Sequence, residues 1–93
     1  MQEFDQHLEN KLRQALAPSQ LELRNVSHHH AGHAGSPGTG TSHYEADIVS
    51  AHFSGLSKVA RHRKVYALLA EEMAGPIHAL ALNLQAPEEV SPN

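Results

Sequence analysis

No cysteine occurs among the 93 residues. That absence excludes a disulfide framework, a thiolate nucleophile and a metal site completed by the chain's own thiolates. Aromatic residues are scarce at 4%, two phenylalanines and two tyrosines with no tryptophan, which argues against a surface that stacks nucleic-acid bases. No apolar run approaches the ~20 residues that span a bilayer, and the opening "MQEFDQHLENKL" lacks the basic and apolar regions of a signal peptide. The expectations are no membrane association and a cytoplasmic location. Positive charge is not in excess. Seven Lys and Arg against ten Asp and Glu give a formal net charge of −3 with neutral histidines, so the chain is not a body that coats nucleic acid non-specifically. Any nucleic-acid contact has to come from a local patch.

What is present is an ordinary globular composition, 40% hydrophobic and 18% charged, in a chain of one-domain length. In residues 2–16, Phe4, Leu8, Leu12, Ala15 and Leu16 recur at helical spacing, and Pro18 stops the helix. "LELRNV" at 21–26 and "HYEADIV" at 43–49 alternate as short strands, the second with Tyr44, Ala46 and Ile48 on one face. The connection between them is far longer than a hairpin turn. Phe53 in "AHFSG" is a core anchor, and Gly55 is free to take a positive φ. A second helix is predicted from Ser57 to about Ala74, with Leu56, Val59, Val65, Leu68, Leu69 and Met73 as its apolar stripe. Gly75 and Pro76 end it. "IHALALNL" at 77–84 is a third strand that puts His78, Leu80, Leu82 and Leu84 on one face, and "QAPEEVSPN" reads as a frayed tail. The order implies an α+β fold, α-β-β-α-β. The last two strands are parallel through a crossover, and a three-stranded mixed sheet carries two main helices on one face.

Three groups of residues carry candidate chemistry. Residues 27–43, "SHHHAGHAGSPGTGTSH", hold five of the nine histidines and four of the six glycines. His30 and His33 lie three apart and suit a borderline metal, while solvated loop histidines remain the plainer alternative. His78 reads either as a partly buried histidine satisfied by a carbonyl or as a side chain converging with that loop. "KVARHRK" at 58–64 places Lys58, Arg61, Arg63 and Lys64 near a helix start, against the helix dipole. They form a solvated face or a patch for phosphates or an acidic protein. No nucleophile motif and no phosphate-cradling glycine loop is present, so an enzyme is not expected.

Over about residues 3–88 the sequence resembles the BolA family. The block "IVSAHFSGLSKVARHRKVYALLAEEMAGPIHALALNLQAPEE" is similar to the family's core, with Phe53, Gly55, "RHR" at 61–63 and "HALAL" at 78–82 in place, and "RNVSHHHAGHAGSPGTGTSHY" is similar to its variable loop in the histidine-bearing form. Tyr44 stands where phenylalanine is commoner, Thr41 where an acid is expected, and the end "PEEVSPN" lacks the usual tryptophan. The resemblance implies a type II KH-like domain over residues 1–88 with a flexible tail at 89–93. It also implies a monothiol glutaredoxin partner with a CGFS active site and a [2Fe-2S] cluster held between the two proteins. Carried over by position, the ligands are His78 and His30, with His33 the rival of His30. The sulfur ligands then come from the glutaredoxin cysteine and glutathione, since this chain has no thiolate. Because neutral imidazoles ligate, cluster binding is expected to weaken as pH falls through about 6. The family is also described as regulating transcription under stress, which makes DNA contact through Lys58, Arg61, Arg63 and Lys64 the alternative. The free protein is expected to be a monomer or weak dimer. "GSPG" at 35–38 has the spelling of a KH clamp but lies between two strands rather than two helices.

Overall fold

Leu8, Leu12 and Leu16, spaced four apart, form the buried stripe of the first helix and are each 1% exposed. The computed structural model describes residues 3–27 and 40–90. These form α1 (Glu3–Leu16), β1 (Gln20–Asn25), β2 (His43–Val49), α2 (Lys58–Leu68), α3 (Ala70–Ala74) and β3 (Ala79–Gln85). Acids in the first turn of α1 and Arg13 in its last suit the helix dipole. The helix ends at Ala17, whose N–H bonds the Arg13 carbonyl at 3.0 Å while its φ of 43° lies in the left-handed region. A Cβ there is strained by about 1–2 kcal/mol. Ala17→Gly is therefore expected to raise stability by about 0.5–1 kcal/mol after the entropy glycine adds to the unfolded chain, read as a higher Tm.

The sheet order is β1-β2-β3, with β2 antiparallel to β1 and parallel to β3. Tyr44, Ala46 and Ile48 of β2 are each 1% exposed and pack in one core with the α1 leucines, Val65, Leu69, Leu80 and Leu84. The three helices thus lie on one face of the mixed sheet, and the α+β class stands. The other face carries Glu22, Arg24, His43, Glu45, Asp47, Ala79, Ala81 and Asn83 by the strand register. There Arg24 pairs with Glu22, Glu45 and Asp47 at 2.9–3.1 Å. Gly55 takes a φ of +80° in the turn after the fully buried Phe53.

Four expectations are corrected. The helix expected over Ser57–Ala74 breaks at Leu69 (φ −102°, ψ 23°), which turns α3 onto α1. Val59, expected in the apolar stripe, is 60% exposed. Strand β3 starts at Ala79 rather than 77, and His78 is exposed rather than on the leucine face. The physical reason is that Ile77 takes the core position, at 2% exposure, and the N–H groups of His78 and Ala79 both donate to the Ser42 carbonyl, at 2.7 and 3.1 Å. Two successive donors on one acceptor interrupt the period of two, so His78 turns outward. Finally, the expected fraying over 85–93 does not extend to residues 85–89, while residues 91–93 of the expected flexible tail lie outside the described residues. Pro87–Glu89 forms a 3-10 turn, and Glu89 is bonded to Arg61 at 2.6 and 3.1 Å.

Glu72 of α3, only 4% exposed, receives His7 at 2.6 Å and Lys11 at 3.0 Å from α1. Burial acts to raise its carboxyl pKa, but the bonds from His7 and Lys11 outweigh it and hold the group below its ordinary 4.5. The bond from Arg61, helped by the Ala86 N–H, does the same for Glu89. A carboxyl whose folded pKa is depressed contributes stability that is present above its unfolded value and lost as pH falls through the folded one. Stability is therefore expected to drop below about pH 4.5, and Glu72→Gln to flatten part of that drop. Tm measured from pH 7 to pH 3 on both proteins checks it.

Candidate functional site

The site is built where β2 and β3 begin side by side. His43 opens β2 and is the register partner of Ala79, so His78 stands beside it, with ring centroids 6.4 Å apart and planes inclined at 42°. Ser42 serves both. Its carbonyl accepts the His78 and Ala79 N–H groups, and its hydroxyl bonds His43 Nδ1 at 2.7 Å, fixing that ring. A concavity of about 240 Å³ beside the pair is lined by Val26, His43, Tyr44, Glu45, Ala79, Leu80 and Ala81.

A polar knot holds the chain on either side of residues 28–39. The Ser27 hydroxyl accepts the N–H groups of Ser42 at 2.9 Å and His43 at 3.0 Å. Asn25 accepts the Ser27 N–H and donates to the Gly40 carbonyl at 2.7 Å. Beneath it the Tyr44 hydroxyl donates to Asp5 at 2.5 Å. Burial first, and Asp5 second, push the Tyr44 phenol well above its usual range, so Tyr44 stays a protonated donor. The hydroxyl that a phenylalanine would lack is thus used to tie α1 to the start of β2.

His78 lies exposed at this site, and His30 and His33 lie outside the described residues. His43 is the side chain that the sequence reading missed. In sequence it closes the histidine-bearing stretch 27–43, and only the parallel register between β2 and β3 brings it next to His78. The basic set divides. Lys58, Arg63 and Lys64 are exposed on α2, but Arg61 is withdrawn from any phosphate-contacting role. Its side chain is 6% exposed and bonds Glu89, the Leu84 carbonyl at 3.2 Å and the Leu56 carbonyl at 3.0 Å. A guanidinium with these partners is internal structure, and a solvated patch is left with three cations.

The mixed sheet with its helices on one face defines a known class of small α+β domain. The BolA domain of SufE1 from Arabidopsis thaliana matches it with a TM-score of 0.86 at 38% identity, covering 97% of this chain and 99% of that one. The family described as BolA-like protein matches residues 12–89, and the chain belongs to the BolA family. BolA-like protein 1 of Pongo abelii is 49% identical over 86 residues, 92% of this chain and 60% of that protein. The DNA-binding transcriptional regulator BolA of Haemophilus influenzae is 44% identical over 86 residues, 92% of this chain and 80% of that protein. The chain spans about 60% of the length of the BolA-like protein 1 relatives it matches. No helix among the described residues is long and apolar enough to cross a membrane.

Proposed function

We propose that the protein is an adaptor that shares a [2Fe-2S] cluster with a monothiol CGFS glutaredoxin and acts in cluster trafficking or iron and redox regulation. The observation that supports this reading is the pairing of His78 with His43, the last histidine of the stretch 27–43 whose His30 and His33 lie outside the described residues. Two imidazoles on one iron are sound chemistry, as in Rieske-type centres. Among the described residues no three of His, Cys, Asp and Glu converge, and the chain has no cysteine. The donor set therefore fits half of a cluster, and the sulfur ligands belong to the partner's cysteine and glutathione. His78 is one ligand. The other is His30, with His33 its rival, and His43 enters the same competition from the opposite strand. Metal–nitrogen bonds are about 2.0–2.1 Å, so rings 6.4 Å apart have to turn toward each other to share one ion. When bound, the cluster supplies one-electron redox chemistry and an iron–sulfide unit that can be passed on. The chain's own part is to orient imidazoles, through Ser42, at a solvent-facing sheet end where a partner can reach them.

Mixing the protein with a CGFS glutaredoxin, iron, sulfide and glutathione tests this. The expected result is a heterocomplex whose visible absorption and circular dichroism differ from those of the glutaredoxin alone. Identical spectra with and without this protein would sink the adaptor reading. A second reading, contact with DNA, is supported by the likeness to the DNA-binding transcriptional regulator BolA of Haemophilus influenzae and by the exposed Lys58, Arg63 and Lys64. Its contact set no longer includes Arg61.

A further inference from the structure

All seven lysines and arginines lie in the described part of the chain. Lys11, Arg13, Arg24 and Arg61 each hold an ion pair. Among the described residues Lys58, Arg63 and Lys64 hold none, and all three are exposed on one helix, α2. The same helix carries the large hydrophobic side chains that are exposed among the described residues, Val59 at 60% and Tyr66 at 37%. Val59, Arg63 and Tyr66 stand at i, i+4 and i+7, so they share one face over about 10 Å of helix. No acid occupies the first turn of α2, and cations near a helix start are unfavourable. The chain's own packing does not account for this arrangement, because the buried side of α2 is served by Arg61 and Val65. The stripe also reaches the histidine site. The Tyr66 hydroxyl donates to the Leu80 carbonyl at 2.9 Å, two residues beyond His78.

We propose that the outer face of α2 is a docking surface for an acidic protein, the same partner that completes the metal site at His78. This rests on the adaptor reading. Protein rather than nucleic acid is favoured because Val59 and Tyr66 gain by burial against apolar side chains, which a phosphate backbone does not offer. An acidic partner over this face would meet Arg63 on the stripe itself, with Lys58 and Lys64 flanking it about 100° and 140° round the helix from Val59.

The test is calorimetric titration of the apo protein with a CGFS glutaredoxin, and of the same samples with a short DNA duplex. The variants are Arg63→Glu/Lys64→Glu, Val59→Ser and His78→Ala. The substituted α2 positions are exposed, and an unchanged Tm verifies that the variants fold. The expected result is an affinity for the glutaredoxin on the order of ten-fold weaker in the α2 variants. His78→Ala should keep apo affinity of the wild-type order while losing the loaded complex's spectrum. Unchanged affinity in both α2 variants overturns the docking surface and leaves the adaptor reading standing. Loss of duplex binding with unchanged glutaredoxin affinity overturns it in favour of nucleic acid. No complex of any kind, apo or loaded, overturns both readings.

Discussion

His78→Ala is expected to abolish the cluster spectrum of the heterocomplex, the largest functional effect of any single substitution in this chain. His78 is exposed, and its contact to Ser42 is made by its backbone N–H. The alanine variant therefore keeps that hydrogen bond and loses only the imidazole, so the fold should survive with an unchanged Tm. Of the competing second ligands, one of His30→Ala, His33→Ala and His43→Ala should reproduce the loss, and the other two should behave nearly as wild type. Substituting Ser42 with alanine gives an intermediate result. It removes the bond to His43 Nδ1, and losing an orienting partner of a metal ligand typically costs about 10–100-fold in affinity. That loss appears only if His43 is the ligand, so the Ser42 variant also reports which histidine competes successfully. Visible absorption and circular dichroism of the reconstituted complexes read all of these.

Arg61→Ala is expected to be the most destabilising surface-to-core change, with Tm falling by about 10 °C or more. The guanidinium joins three parts of the chain that are distant in sequence: the Leu56 carbonyl before α2, the Leu84 carbonyl on the outer edge of β3, and the Glu89 carboxylate. Glu89 raises the pKa of this guanidinium further above its ordinary value, against the effect of burial, so the pair is ionised throughout the working range. Without Arg61, the Leu84 carbonyl loses its side-chain donor and the Glu89 carboxylate is left with the Ala86 N–H. Lysine should rescue only in part, since one ammonium does not reproduce the forked geometry that meets both Glu89 oxygens. Thermal unfolding of Arg61→Ala, Arg61→Lys and Arg63→Ala separates the internal arginine from its exposed neighbour, for which little change in Tm is expected.

Much of the fold is legible in the sequence because the buried faces obey simple periods. The α1 leucines repeat every four residues and the β2 residues Tyr44, Ala46 and Ile48 every two, and each set is buried as read. Misreadings fall where tertiary contacts override a local period. Val59 continues the apolar stripe of α2 in one dimension, but the helix turns it to solvent. His78 continues the alternation of β3, but Ile77 fills the core one residue earlier and displaces it. Leu69 ends α2 because α3 has to bring Glu72 to His7 and Lys11, residues more than 60 positions away. Arg61 looks like its neighbours in "RHRK" until Glu89 is seen beside it. Among the candidate site residues, His78 can be named from its place after the Gly75-Pro76 turn. His43 cannot, because parallel register is set by the crossover and leaves no mark in either strand.

Under the adaptor proposal, imidazole nitrogen from this chain binds the cluster iron. The most direct test of that proposal is pulsed electron paramagnetic resonance of the reduced heterocomplex, prepared with this protein labelled with nitrogen-15 in histidine alone and an unlabelled glutaredoxin. The expected result is strong nitrogen-15 coupling from two histidines in the wild-type complex and no cluster signal at all in His78→Ala. A spectrum with no strong nitrogen-15 coupling would contradict it, because the iron would then be held without this chain's histidines.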